Sequence, residues 1–158
     1  MLGRLVKTLV FTLVVPGSVG VYLPQALRNH ETALPLPVRC AGIALLACGA
    51  AIYFWCAWDF VSTGLGTPLP VDAPRVLVVK GLYRFSRNPM YVGVLSVIFG
   101  QAIYYGAATV AVYGVLVLLG FHVFVLLYEE PTLRRLFGSQ YEEYSQRVPR
   151  WIFRHSRA

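Results

Sequence analysis

Four apolar runs divide the chain, and polar stretches of distinct character separate them. Residues 6–23, 38–60, 90–105 and 110–128 carry almost no charge. A run of about 20 such residues spans a hydrocarbon core of about 30 Å as a helix, so the pattern predicts an all-α integral membrane protein with four transmembrane helices, the third of them short. Pro16 and Gly17 predict a kink in the first. Pro24 to Pro37, with three prolines, Arg28, His30 and Glu31, reads as an outside loop, and Ser62 to Arg75, with Gly64, Gly66, Pro68, Pro70 and Pro74, as another loop. From Pro131 onward Leu133, Leu136, Phe137, Tyr141, Tyr144 and Val148 recur at helical spacing. They predict a C-terminal amphipathic cytoplasmic helix, on the membrane surface or over the mouth of the bundle.

The connection at Gly106 to Thr109 is short and uncharged. It makes the third and fourth spans antiparallel neighbours, so Tyr128 returns to the level of Pro89 and brings Glu129 and Glu130 near Arg87. In the second span small residues (Ala41, Gly42, Ala44, Ala47, Gly49, Ala50, Ala51) suit close helix approach, and Trp55 and Trp58 mark its far interface. Asp59 at that edge reads as a carboxylate in water, and His122 as hydrogen-bonded between helices.

Composition agrees with the pattern. Of 158 residues 57% are hydrophobic and 13% charged, well below the quarter usual in soluble domains; the length suits a single domain, 1–158. The net charge of +7 is spread over the ends of apolar runs rather than clustered as nucleic-acid binding requires. Arg4, Lys7, Arg75, Lys80, Arg84, Arg87, Arg134, Arg135, Arg147, Arg150, Arg154 and Arg157 fall on one side of a four-span arrangement and only Arg28 and Arg39 on the other. The positive-inside rule then places both termini in the cytoplasm. Arg4 and Lys7 before an apolar run also match the layout of a signal peptide; a retained helix is the reading adopted. Cys40, Cys48 and Cys56 share one span, without partners at metal-ligand spacing, and read as packing residues with no metal site. Gly64-Leu65-Gly66 lacks the third glycine and preceding strand of a dinucleotide fingerprint.

The chemistry concentrates in Gly81 to Tyr91, a cationic and aromatic stretch between apolar runs. Asn88 suits a helix N-cap and Pro89 the first helical position. Free amides there attract anions, Arg84 and Arg87 add charge, and Tyr83 and Tyr91 add flat walls with a polar handle. Glu129 and Glu130 close the fourth span, where acids oppose the helix dipole at about 0.3–1 kcal/mol each. The next helix, with Pro131 in its first turn, accounts for Glu130 as an N-terminal acid; Glu129 is better explained by a cationic or hydroxyl-bearing ligand.

These residues form a pattern: Leu77-Val78, Gly81-x-Tyr83, Arg87-Asn88-Pro89-x-Tyr91-x-Gly93, then Glu129-Glu130-x-x-Leu133, Phe137-Gly138-x-x-Tyr141-x-x-Tyr144 and Val148-Pro149. From Arg75 to Pro149 the chain resembles the isoprenylcysteine carboxyl methyltransferase family, which includes phospholipid N-methyltransferase relatives. The resemblance implies an S-adenosylmethionine-dependent methyltransferase acting on a lipophilic small molecule or lipid that enters from the bilayer. It implies cofactor contacts from Arg75, Val76, Leu77 and Val78, from Tyr83, from Asn88, Pro89, Met90 and Tyr91, and from Glu129, with Arg87 and Glu129 organising the reaction. Asn88 stands where prenylcysteine enzymes usually have histidine, and Val125 where they place an arginine implicated in substrate binding. Sterol reductases resemble the family in their C-terminal half, so a nicotinamide-dependent membrane reductase is the alternative enzyme, and a non-enzymatic membrane assembly protein the alternative without chemistry.

Overall fold

The computed structural model describes residues 2–29, 31–63 and 76–151, without the side chains of residues 2–7, 61 and 63. Every regular element among the described residues is helical. Helix α1 (Leu2–Gly17) passes through a π turn at Ser18–Tyr22 into the short α2 (Leu23–Ala26). Then come α3 (Leu36–Thr63), α4 (Pro89–Tyr105) and α5 (Ala108–Phe124), and a second π turn, Val125–Glu129, leads into α6 (Glu130–Phe137) and α7 (Ser139–Arg147). Among the described residues three stretches are long and apolar enough to cross a membrane: Thr8–Ala26, Leu36–Phe60 and Ala108–Phe137. Their outer faces expose Leu13, Val14, Leu116, Leu119 and Leu127, surface suited to hydrocarbon rather than water. α4 is also apolar but has 17 residues, a rise of about 25 Å.

A seam of glycines joins α3 to α4. Gly42 and Gly49 lie two turns apart on α3, as Gly93 and Gly100 do on α4, and the antiparallel pair sets Gly49 against Gly93 and Gly42 against Gly100. A Cβ at Gly49 would stand 2.6 Å from the Gly93 carbonyl oxygen, and one at Gly100 2.8 Å from that of Gly42. No side chain fits there, so the two backbones touch. Gly106, at φ +61°, closes α4 in the left-handed conformation that favours glycine, and α5 begins two residues later.

The first span is held differently. Pro24 has no amide hydrogen, so it gives no bond to Gly20 four residues back or to Val19 five residues back. Other helices supply the missing donors: Gln101 Nε2 to the Gly20 carbonyl at 2.6 Å and Tyr113 Oη to the Val19 carbonyl at 2.9 Å. Thr12 and Tyr53 share a further bond of 2.9 Å.

Several expectations need correction. The stretch expected as a loop from Pro24 to Pro37 is helical to Ala26 and again from Leu36, because proline is tolerated in a helix's first turn. The single amphipathic helix is two, since Gly138 at φ +50° separates α6 from α7. Asp59 is buried rather than in water; it faces Gly81, where the positive φ and the nearby carboxylate both exclude a side chain. Cys40 and Cys48 are exposed, and only Cys56 is buried.

Candidate active site

Two consecutive acids point to different places, as neighbours on a helix do, and they stand where a π turn passes into α6. Proline at 131 cannot donate to the preceding turn, and the helix widens by one residue: the Glu130 amide donates to the Val125 carbonyl, five residues back. Such π turns recur at functional sites. Here the widened turn is followed by Glu130-Pro131, as the first is followed by Leu23-Pro24.

Glu130 is buried in a cage of arginines. Arg150 Nε donates to its Oε1 at 2.6 Å and Arg150 Nη2 to its Oε2 at 3.0 Å, while Arg87 Nη1 donates to Oε1 at 2.9 Å. Arg134 approaches at 3.7 Å from one turn along α6. These charges hold the Glu130 side chain toward the cap. The bond to Glu130 raises the Arg150 guanidinium above its already high ordinary value. The segment around Arg150 forms a strap across the start of α4: the Arg87 amide donates to the Pro149 carbonyl at 2.9 Å, and Asn88 Nδ2 and Ser86 Oγ donate to the Arg150 carbonyl at 3.1 and 3.3 Å.

Glu129 lines a cavity of about 560 Å³ between α1, α3, α4, α5 and the turn before α4. That volume suits a small-molecule ligand. Tyr91 Oη donates to Glu129 Oε2 at 2.9 Å, and the Tyr91 ring stacks on Phe121 at 4.6 Å between centroids and approaches Trp151 at 6.4 Å. Arg87, Asn88 and Tyr83 lie in the same wall. Burial, then the Cys56 thiol and the Glu129 carboxylate, push the Tyr83 phenol well above its ordinary range, so it stays a neutral hydroxyl. Away from this end the lining is apolar, including Phe11, Val15, Val94, Val117 and Phe124. The arrangement can hold a polar, partly cationic group at one end and a hydrocarbon group along the rest.

The structure therefore brings Arg87, Glu129, Tyr83, Asn88, Met90 and Tyr91 to one cavity. Pro89 is buried in the first turn of α4. Val78 is buried and Leu77 packs against Tyr141, Tyr144 and Val148, whereas Val76 is exposed; Arg75 lies outside the described residues. Asn88 occupies the N-cap position of α4 but makes no side-chain cap, because its amide is committed to the strap. The expected open helix end is closed over: Asn88 and Pro89 are buried. His122 accepts a bond from Trp151 Nε1 at 3.1 Å instead of bridging two spans. Arg150 and Trp151 also belong to this region; from sequence Arg150 was expected only as one of the cytoplasmic charges. From sequence Glu130 was accounted for as an N-terminal acid brought near Arg87, and nothing local pointed to Arg150 as its second partner.

The proteins this chain is similar to carry the same chemistry in their names. The family model described as phospholipid methyltransferase matches residues 38–140, from α3 into α7. Protein-S-isoprenylcysteine O-methyltransferase B of Arabidopsis thaliana is 37% identical over 73 residues, covering 46% of this chain and 37% of that protein. A probable protein-S-isoprenylcysteine O-methyltransferase of Oryza sativa subsp. indica is 39% identical over 72 residues, covering 46% and 38%. The matched stretch thus spans little more than a third of the length of these relatives. No solved structure matches the chain. With the family model covering more than half of its length, including the glycine seam, the Tyr91 turn and both acids, the chain belongs to the phospholipid methyltransferase family of membrane methyltransferases.

Proposed function

We propose that the protein transfers a methyl group from S-adenosylmethionine to a lipophilic small molecule or lipid. The observation that carries this reading is the shared wall of one cavity: Glu129, held by Tyr91, and Arg87 stand at one end, and apolar side chains line the rest. The residues present fit the cofactor. Arg87 Nε is buried without a hydrogen-bond partner among the described residues, an N–H donor suited to a carboxylate, while the Glu129 carboxylate suits an ammonium or ribose hydroxyls. Bound there, S-adenosylmethionine would supply a methyl group already activated by its sulfonium.

The chain's own residues then have to orient and exclude water. Tyr91 fixes the Glu129 carboxylate, and Phe121 and Trp151 fix Tyr91. Alignment of two bound reactants can contribute about 7–11 kcal/mol of the barrier. A carboxylate acceptor needs no base. An amine acceptor must give up a proton, and Glu130 is engaged by three arginines and does not line the cavity, so it is not placed to receive it. In this reading α4 is a fourth crossing, the cap of α6 and α7 lies on the cytoplasmic side with both termini, and the distribution of Lys and Arg supports that orientation.

Calorimetry on the purified protein tests the reading. S-adenosylhomocysteine should bind and NADPH should not; binding of NADPH alone would favour a reductase, and binding of neither a scaffold. Glu129→Gln should lower the affinity for S-adenosylhomocysteine about tenfold or more, the effect of one charge-assisted hydrogen bond. Unchanged affinity would remove Glu129 from the site.

A further inference from the structure

Among the described residues that line the cavity, Val15 on α1 and Gly120 on α5 are themselves exposed, the others half-buried or buried. Both lie well inside apolar spans, Val15 within Thr8–Ala26 and Gly120 within Ala108–Phe137, so the surface they open onto is the hydrocarbon-facing one. Tyr113 pins α5 to Val19 in the π turn after α1. One to two turns further along α5 the cavity lies between the two helices, with Val15 and Phe11 opposite Val117 and Gly120.

Gly120 is unusual among the glycines of the spans. Gly42, Gly49, Gly93, Gly100 and Gly114 each abut another helix so closely that a Cβ would collide, whereas a Cβ at Gly120 meets nothing within 4 Å. Packing therefore does not require glycine at 120, and helix propensity disfavours it. Val117, Phe121 and Phe124 around it on the same helix all carry bulk into the cavity wall. The missing side chain leaves a gap at one point of the rim.

We infer that Val15 and Gly120 are the lips of a side portal at bilayer depth, and that the absent side chain at Gly120 sets the girth of the acceptor's hydrocarbon portion. This rests on the methyl-transfer reading for what passes through, and on geometry alone for the portal. Gly120 lies nine residues before Glu129 in α5 and its π turn, about 14 Å of helix rise. An acceptor reacting beside Glu129 thus carries its hydrocarbon portion along that distance, with the far part emerging past Gly120 into lipid. The acceptor class is then a long amphiphile with its nucleophile at one end.

Gly120→Phe and Gly120→Ala in the full chain, reconstituted in lipid nanodiscs, separate the possibilities. Three readouts are needed: S-adenosylhomocysteine affinity by calorimetry, radiolabelled methyl incorporation into a total membrane lipid extract, and fluorescence titration with a dansyl-labelled dodecyl amphiphile. Gly120→Phe should leave S-adenosylhomocysteine affinity within about twofold while reducing methyl incorporation and probe binding by about tenfold or more, the scale of a pocket's response to added bulk. Gly120→Ala should reduce both far less. Probe binding unaffected by Gly120→Phe would overturn the portal. If the wild type binds the probe, loses it with Gly120→Phe, and yet binds no S-adenosylhomocysteine, the portal stands and the methyl-transfer reading falls.

Discussion

The walls of the cavity are built in two ways. On one side α3 and α4 meet backbone to backbone through Gly42, Gly49, Gly93 and Gly100, and the strap carrying Arg150 is bound to buried Glu130. On the other side α1 is tied to its neighbours by single polar contacts from Tyr53, Gln101 and Tyr113 to Thr12 and to carbonyls beside its π turn. Unfilled space lies along both flanks of α1: the main cavity, and a groove of about 300 Å³ against α3. The first construction leaves no freedom, and it carries Tyr91 and the start of α4, which must hold a reacting group in place. The second tolerates displacement, and it faces the proposed entry route. Precision and access are thus assigned to opposite walls.

The sharpest break in the rigid wall is at Glu130. Glu130→Gln leaves Arg87 and Arg150 without their shared counter-charge, which should cost about 3–5 kcal/mol, as breaking a buried ion pair does. Glu129→Gln, one residue earlier, should cost less than about 1 kcal/mol, as for ordinary substitutions, because its proposed role is toward a ligand. Thermal unfolding in detergent compares them, and equal losses would mean that the two acids are not divided between structure and site. The glycine seam gives the next effect. Gly49→Leu forces a side chain against the Gly93 backbone, which cannot rotate aside, and overpacking of this kind costs about 1–3 kcal/mol or more. Gly120→Leu, the same change on the yielding wall, should not destabilise at all. If both unfold alike, the seam is no tighter than the rim.

How much of this the sequence disclosed follows from the range of the interactions. The short link around Gly106 sufficed to bring Glu129 and Glu130 to the level of Arg87, because a tight connection between apolar helices leaves one arrangement. The small residues of the second span announced a close approach, although the matched pairing with Gly93 and Gly100 needs the register of both helices. The partner of Glu130 was not legible: Arg150 lies 20 residues on, beyond two helix breaks, and it read only as one of the cytoplasmic charges. Asp59 was misplaced for the same reason, since it packs against Gly81, distant from it in the sequence. The π turns were signalled only by Pro24 and Pro131, and a proline alone does not say whether a helix will kink, end or widen.

On the yielding wall the larger effect is at Gln101. Gln101→Leu leaves the Gly20 carbonyl without the donor that Pro24 cannot provide, an unsatisfied buried acceptor worth about 1–3 kcal/mol. Its loss should be measurable by the same unfolding experiment, alongside Gln25→Ala, which removes only the outer contact of 2.9 Å to Gln101. If Gln25→Ala costs as much, the Gly20 carbonyl is not the group at risk.

The smallest effect is the most informative about the comparison. Tyr113→Phe removes one hydroxyl from the Val19 carbonyl and keeps the ring that lines the cavity, so it should cost only about 1 kcal/mol, the net value of a single hydrogen bond. Because that bond pins α1 to α5 above the portal, its loss should act locally. Hydrogen exchange should quicken at the amides of residues 15–23 while those of α3 and α4 keep their protection, the signature of local rather than global opening. Faster exchange in both regions would mean that α1 is part of the rigid wall after all, since an element attached by isolated tethers can loosen without its neighbours only if those tethers are what hold it.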